Sequence, residues 1–276
     1  MNIAILSGKG GTGKTTVSVN LSLALKTDYV DVDVEAPDGY LFLNPTNVKR
    51  TPVEVLYPMV DDNLCINCGA CAKACEFNAL ALVKDDLMLF QKLCHGCGTC
   101  EIVCPQNAIK MAIREMGIVE KGEAFSQNVY RGLLDISEPM AVPVIAKVLK
   151  DLPDSNHIVD CPPGTSCNVV KSLSFANGAI LVTEPTAFGF HDLKMAVELV
   201  KQFKLPMGVV INKEDNNSKF IEEYLEEENI PLIGKIPYTM DIAKAYSKGK
   251  ILYHEDKIKP IFDALADKVK EVFPWK

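Results

Sequence analysis

Apolar residues fall in short unbroken runs near the two ends of the chain, separated by stretches where they recur every three to four positions. Residues 2–6, Asn-Ile-Ala-Ile-Leu, form the first run and read as a strand covered on both faces. A glycine-rich turn follows. In residues 15–25, Val17, Leu21, Ala24 and Leu25 then share one face of a predicted helix. Residues 29–34 read as a second strand. Residues 36–63 carry Pro37, Pro45, Pro52 and Pro58, so they read as a connector with at most short edge strands. From about Tyr57 to Arg114 the α/β rhythm stops. It resumes at Ser137-Glu138-Pro139, which suits a helix start with Ser as N-cap and Pro in the first turn, running to about residue 150. Strands at 157–160, 179–183, 207–212 and 232–236 then alternate with helices at 168–176, 190–203 and 218–228. This alternation predicts an α/β domain, a mostly parallel sheet with helices on both faces, carrying a guest segment.

The last predicted helix, about 257–273, lines Ile258, Ile261, Phe262, Leu265, Val269, Val272 and Phe273 along one stripe. Its polar face mixes lysines with Asp263, Asp267 and Glu271, which fits packing on a core rather than on a membrane. The 276 residues are 24% charged and 48% hydrophobic, as in ordinary globular proteins. A net charge of −7 speaks against a phosphate-coating basic surface and hence against nucleic acid. No apolar run approaches the ~20 residues of a membrane span. Met1 leads directly into the first strand without a basic n-region, so a cytoplasmic location is expected.

Candidate chemistry begins in the first turn. Gly8-Lys9-Gly10-Gly11-Thr12-Gly13-Lys14-Thr15 satisfies G-x-x-x-x-G-K-[ST] between a strand and a helix. Glycines let successive amides turn toward phosphate, and the helix N-terminus adds partial positive charge. Lys14 is the residue to reach the β- and γ-phosphates, and the Thr15 hydroxyl the one to ligate Mg²⁺. Thr16 follows in the same turn and counts with the loop.

The guest segment holds eight of the ten cysteines. Cys65, Cys68, Cys71 and Cys75 recur 29 positions later as Cys94, Cys97, Cys100 and Cys104. The repeating unit C-x₂-C-x₂-C-x₃-C is the bacterial ferredoxin motif, in which the fourth cysteine ligates the other cluster. Cys65, Cys68, Cys71 and Cys104 are therefore assigned to one [4Fe–4S] cluster, and Cys75, Cys94, Cys97 and Cys100 to a second. Structural zinc favours separated C-x₂-C pairs over four cysteines in one run. Cys104 precedes Pro105 whereas Cys75 precedes Glu76, a departure that leaves the ligands intact. Cys161 and Cys167 are read as buried, non-ligating thiols.

The run Lys9 to Thr16 resembles the deviant Walker A of the MinD, ParA and Mrp superfamily. With the cysteine repeat, the chain is similar to members of that superfamily that carry an inserted two-cluster ferredoxin domain. The resemblance implies domains at 1–57 with 115–276 and at 58–114. It implies that Lys9 contacts phosphate across an ATP-sandwich homodimer. It also implies that Asp33 positions the attacking water, that Asp160 holds Mg²⁺ and that the Gly164 amide senses the γ-phosphate. Asn212 and Pro237 would flank the adenine. MinD carries a membrane-targeting C-terminal helix, which the mixed polar face here does not resemble. Three functions are compatible: an ATP-gated redox switch or electron-transfer protein, an ATPase scaffold for iron–sulfur or other metal-cofactor assembly, and a positioning ATPase. The first two require a partner protein that the sequence does not name.

Overall fold

The computed structural model describes residues 1–84 and 86–274. In chain order the regular elements begin with β1 (Asn2–Leu6), α1 (Lys14–Leu25), β2 (Asp28–Asp31), α2 (Gly39–Leu43) and β3 (Thr46–Val60). The cysteine segment holds α3 (Ala70–Lys73), β4 (Leu80–Val83), β5 (Asp86–Leu89) and α4 (Thr99–Ile102). The chain returns through β6 (Ile109–Ala124), β7 (Gln127–Leu134), α5 (Val142–Lys150) and β8 (His157–Asp160). It ends with α6 (Cys167–Leu173), β9 (Gly178–Thr183), α7 (Ala187–Gln202), β10 (Met207–Glu214), α8 (Lys219–Glu227), β11 (Leu232–Pro237), α9 (Met240–Ser247) and α10 (Lys259–Val272).

Nine strands form one sheet in the order β11-β10-β9-β1-β8-β2-β7-β6-β3. Neighbours run parallel from β11 to β7, and β6 and β3 extend the sheet antiparallel. Alternate residues of the central strands serve opposite faces. Ala4 and Leu6 pack with α5, α6, α7 and α8, whereas Ile3 and Ile5 pack with α1, α9 and α10. Double coverage explains why these strands read as continuous apolar runs. Phe262, Leu265 and Val269 of α10 are buried on the second face, so the apolar stripe of the last helix is spent in the core. Among the described residues no helix is long and apolar enough to cross a membrane.

The structure corrects two sequence expectations and adds one hairpin. Residues 46–60 are not connector but a 15-residue strand. The prolines are tolerated because β3 lies at the sheet edge, where half the backbone amides need no ladder partner. Residues 109–134, where the sequence predicts no strand, form the β6–β7 hairpin, closed by Phe125 and Ser126 at φ 49° and 64°. Positive φ at both turn positions is the type I′ geometry that matches strand twist. The helix expected from Ser137 begins instead at Val142; Ser137 sits at φ 69° and Glu138 is paired with Arg114.

The cysteine segment is not hung on a linker. β3 and β6 stay paired from Thr46↔Glu123 out to Val60↔Ile109, so a continuous antiparallel ribbon leads from the main sheet into it. The ribbon's base is pinned by Glu120, 1% exposed, which accepts from Arg50 of β3 (2.8 Å) and Arg131 of β7 (2.7 Å). Arg131 also stacks on the Tyr40 ring at 4.0 Å.

Candidate functional site

The glycine-rich turn links β1 to α1 at the carboxyl edge of the parallel sheet. Gly13 caps α1 in the left-handed region at φ 86°, and a Cβ there would stand 2.1 Å from Asn212 Nδ2. Only glycine meets both demands. Two residues from the end of β10 hold the turn from outside: Asn212 Nδ2 donates to the Thr12 carbonyl (2.7 Å) and Lys213 Nζ to the Gly11 carbonyl (2.7 Å). Asn212 therefore braces the loop as well as lining the cavity.

That cavity, about 440 Å³, has two walls of different character. One is polar, with Gly10, Gly11, Gly13, Lys14, Thr15, Thr16 and Asp33. The other is apolar, with Phe42, Ile236, Pro237, Tyr238, Ile242 and Tyr246. Such a division suits a ligand with a charged tail and a flat apolar head.

Beneath the polar wall lies a buried ionic network. Lys14 Nζ is 2.8 Å from Asp160 Oδ1, with side chains 6% and 0% exposed. Ser18, one turn along α1, donates to the same oxygen at 3.1 Å. The Tyr29 hydroxyl lies 3.0 Å from Asp160 Oδ2 and 3.2 Å from Asp31 Oδ2. Asp31 accepts in addition from the Asp33 and Gly39 amides, both at 3.1 Å, and so shapes the loop after β2. Burial opposes the Lys14 charge, but Asp160, together with Asp31 and Asp33, outweighs it and the pKa is raised. Burial, reinforced by Asp160, pushes Asp31 well above the usual carboxylate range. Burial likewise pushes Asp33 up to about 6, against the pull of Lys14.

The remaining loop residues have definite partners. Lys9 Nζ pairs with Glu184 Oε1 at 2.5 Å, and Lys213 shares that carboxylate at 3.2 Å. The Gly164 amide donates to the Ser7 carbonyl at 2.9 Å, so it must leave this partner to reach a phosphate. Thr12 Oγ1 is buried with no hydrogen-bond partner among the described residues. Sequence reading missed Tyr29, Ser18, Glu184 and Lys213. Ser18 could have been found four residues after Lys14 on the same helical face; the others carried no local signal.

The eight clustered cysteines line two small enclosures. Cys65, Cys68, Cys71 and Cys104 surround one, with Ile66 and Ile109. Cys75, Cys94, Cys97 and Cys100 surround the other, with Phe77 and His95, whose rings stack at 3.7 Å. The sequence repeat is also a structural repeat: α3 and α4 start from left-handed Gly69 and Gly98. The Ala79 and Ala108 amides donate to Cys75 and Cys104 Sγ, each at 3.3 Å. Among the described residues no group of three or more His, Cys, Asp or Glu is gathered to hold a single metal ion. Cys161 is buried and its thiol is pushed up to about 12 by burial, but Cys167, expected to be buried, is exposed at the start of α6.

Residues 3–252 match the sequence profile of the CobQ/CobB/MinD/ParA nucleotide binding domain. An uncharacterized protein of Methanocaldococcus jannaschii is 30% identical over 98% of this chain and 97% of its own length. An iron-sulfur cluster carrier protein of Pyrococcus horikoshii is 25% identical, covering 97% of this chain and 84% of its own. The cell division ATPase MinD of Pyrococcus furiosus superposes with a TM-score of 0.59 at 20% identity over 99% of each chain, a likeness of fold.

Proposed function

The chain belongs to the CobQ/CobB/MinD/ParA nucleotide-binding domain family, and from that premise we propose that it is a homodimeric ATPase carrying two [4Fe–4S] clusters, whose nucleotide cycle gates one-electron transfer between partner proteins. One observation carries this reading. The two four-cysteine enclosures are mounted on a ribbon hydrogen-bonded into the same sheet that presents the phosphate-binding loop.

The residues fit the groups they would hold. Each enclosure is lined by four cysteines, and the Ala79 and Ala108 amides already donate to cysteine sulfur. When bound, the clusters supply one-electron redox chemistry. At the cavity, Lys14 and Asp160 form one buried ion pair. Phosphate would take over Lys14, while Mg²⁺ bound by Thr15 would engage Asp160, so each charge keeps a partner as nucleotide enters. Burying one without the other would be strongly destabilising. Asp33 faces the phosphate end, suited to orienting a water, and Pro237 lies on the apolar wall suited to the base. Lys9 is held by Glu184 within its own subunit and would exchange that partner for phosphate across a dimer.

The test is an anaerobic redox titration followed by EPR, with and without Mg·ATP. Two [4Fe–4S] signals and a potential that moves with nucleotide would support the reading; clusters whose potentials are identical in apo, ADP and ATP states would reject the gating. A second reading, a carrier or scaffold for cluster assembly, is favoured by the similarity to the Pyrococcus horikoshii carrier protein. Chelator challenge separates the two, since cargo clusters leave readily and resident ones do not.

A further inference from the structure

The two enclosures differ in how they meet the nucleotide-binding domain. The first is lined by the cysteine segment itself and by Ile109 at the tip of β6. The second is lined also by Pro58 and Met111, further down the ribbon. Gly96, between Cys94 and Cys97, comes so close to the ribbon that a Cβ would stand 2.7 Å from the Leu56 carbonyl. Its φ of 66° adds a second requirement for glycine. Lys92, two residues before Cys94, donates to Ser137 Oγ in the loop after β7.

A second set of contacts leads from that loop to the phosphate site. Arg114 of β6 grips Glu138 through its two terminal nitrogens, at 2.9 and 3.0 Å, with side chains only 14% and 9% exposed. The same loop begins at Leu134, whose amide donates to the Val34 carbonyl at 2.9 Å. Val34 follows Asp33, which lines the nucleotide cavity, and the Val32 amide donates to the Asp160 carbonyl at 2.9 Å. Residues 134–138 thus touch the loop after β2 at one end and the mount of the second enclosure at the other.

We propose that nucleotide at the phosphate-binding loop acts on the second enclosure (Cys75, Cys94, Cys97 and Cys100) and not on the first, with residues 134–138 as the connecting bar. This rests on the reading that the cavity takes Mg·ATP and the enclosures hold clusters. Closely packed interiors transmit displacement rather than absorb it. A shift of Val34 is therefore carried through its backbone bond to Leu134, and from there through the Glu138–Arg114 pair and Ser137–Lys92. At the far end lie the amide bonds to sulfur, Gly96 N to Cys94 Sγ at 3.4 Å and Ala79 N to Cys75 Sγ at 3.3 Å. Hydrogen bonds to cluster sulfurs are among the levers that set potential.

The experiment uses the cluster-loaded full chain. Two substitutions that suit the local backbone label the titration waves: Thr99→Val beside Cys97 (3.4 Å) marks the second cluster, and Asn67→Gly beside Cys65 (3.3 Å), where φ is 50°, marks the first. Mg·ATP should change the reduction equilibrium of the wave that Thr99→Val marks by about tenfold, 59 mV for one electron. Glu138→Gln and, separately, Ser137→Ala should cut that change by at least half without altering iron content. Hydrogen exchange gives a second readout: amides at 135–138 and 92–97 should respond to Mg·ATP together in the parent and separately in Glu138→Gln. A shift confined to the wave marked by Asn67→Gly overturns the assignment. A shift undiminished in both variants, with exchange still linked, overturns the route. Two clusters with neither wave moving would reject the coupling while leaving the cluster reading intact, and absence of iron and sulfide would reject the cluster reading itself.

Discussion

The Tyr29 hydroxyl lies 3.0 Å from Asp160 Oδ2, and both side chains are fully removed from solvent. The same hydroxyl is 3.2 Å from Asp31, so one phenol ties the carboxylate at the end of β8 to the one that shapes the loop after β2. Tyr29→Phe preserves the ring and removes the donor. It should cost about 1–3 kcal/mol of stability, because buried acceptors lose their partner. Urea unfolding of the nucleotide-free protein measures this, and a variant as stable as the parent would show that the hydroxyl contributes nothing.

Lys14→Ala should lose Mg·ATP binding, since the loop gives up its buried cation. It should also unfold more easily, by roughly 3–5 kcal/mol, because the buried Asp160 loses its paired cation. Asp33→Ala should retain binding but hydrolyse ATP more slowly, on the order of 10²-fold. Isothermal titration with a non-hydrolysable analogue, alongside phosphate release, separates the two effects. Parental turnover in both variants would mean that the active site is elsewhere.

If each four-cysteine enclosure holds a [4Fe–4S] cluster, anaerobic preparations should contain about eight iron and eight acid-labile sulfide atoms per chain. Stoichiometric zinc without sulfide would refute the cluster assignment.

Lys9 is paired with Glu184 of its own subunit. If it serves a nucleotide-dependent dimer, Lys9→Ala should remain monomeric on size-exclusion chromatography with Mg·ATP, while still binding nucleotide. Dimerisation equal to that of the parent would remove Lys9 from the interface.

His157 is buried on β8, bonded to Asn2 Oδ1 at 2.9 Å and Ser155 Oγ at 3.2 Å. Burial lowers its pKa from 6.5 to about 4, against the pull of Asp28. A depressed folded-state pKa means that its contribution is present above pH 6.5 and is lost as pH falls through about 4. Asp33, raised to about 6 by burial, works in the opposite sense, losing its contribution as pH rises through that value. The difference between parent and His157→Gln isolates the histidine. That gap in unfolding free energy should narrow by about 1–3 kcal/mol between pH 7 and 4. A gap independent of pH would mean that His157 titrates normally.

The alternation of apolar runs made the parallel half of the sheet legible, because a strand covered on both faces must be apolar throughout. The phosphate-binding loop and the cysteine repeat were legible because their spacing is itself the geometry. What escaped was what depends on place in the fold. Pro52 and Pro58 signal a connector unless β3 is known to lie at an edge. Phe125-Ser126 turns a hairpin without the glycine or asparagine that normally announces one. Tyr29 looks like any strand aromatic until β2 and β8 are set side by side, which brings its hydroxyl to Asp160.

The pairing of Val60 with Ile109 at the head of the ribbon has a consequence for the origin of such a chain. Directly opposed antiparallel residues lie roughly 5 Å apart, the separation that an ordinary hairpin turn bridges. Everything between them occupies the position of a turn joining the edge strand β3 to its neighbour β6. Exposed hairpin tips accept added sequence more readily than any interior site, and the entropy of closing a loop rises only slowly with its length. A whole cysteine-bearing unit could therefore enter there in one genetic event without moving a core residue. The reverse operation is equally direct: joining Val60 to Ile109 through a short turn should leave a shorter chain whose sheet closes as before.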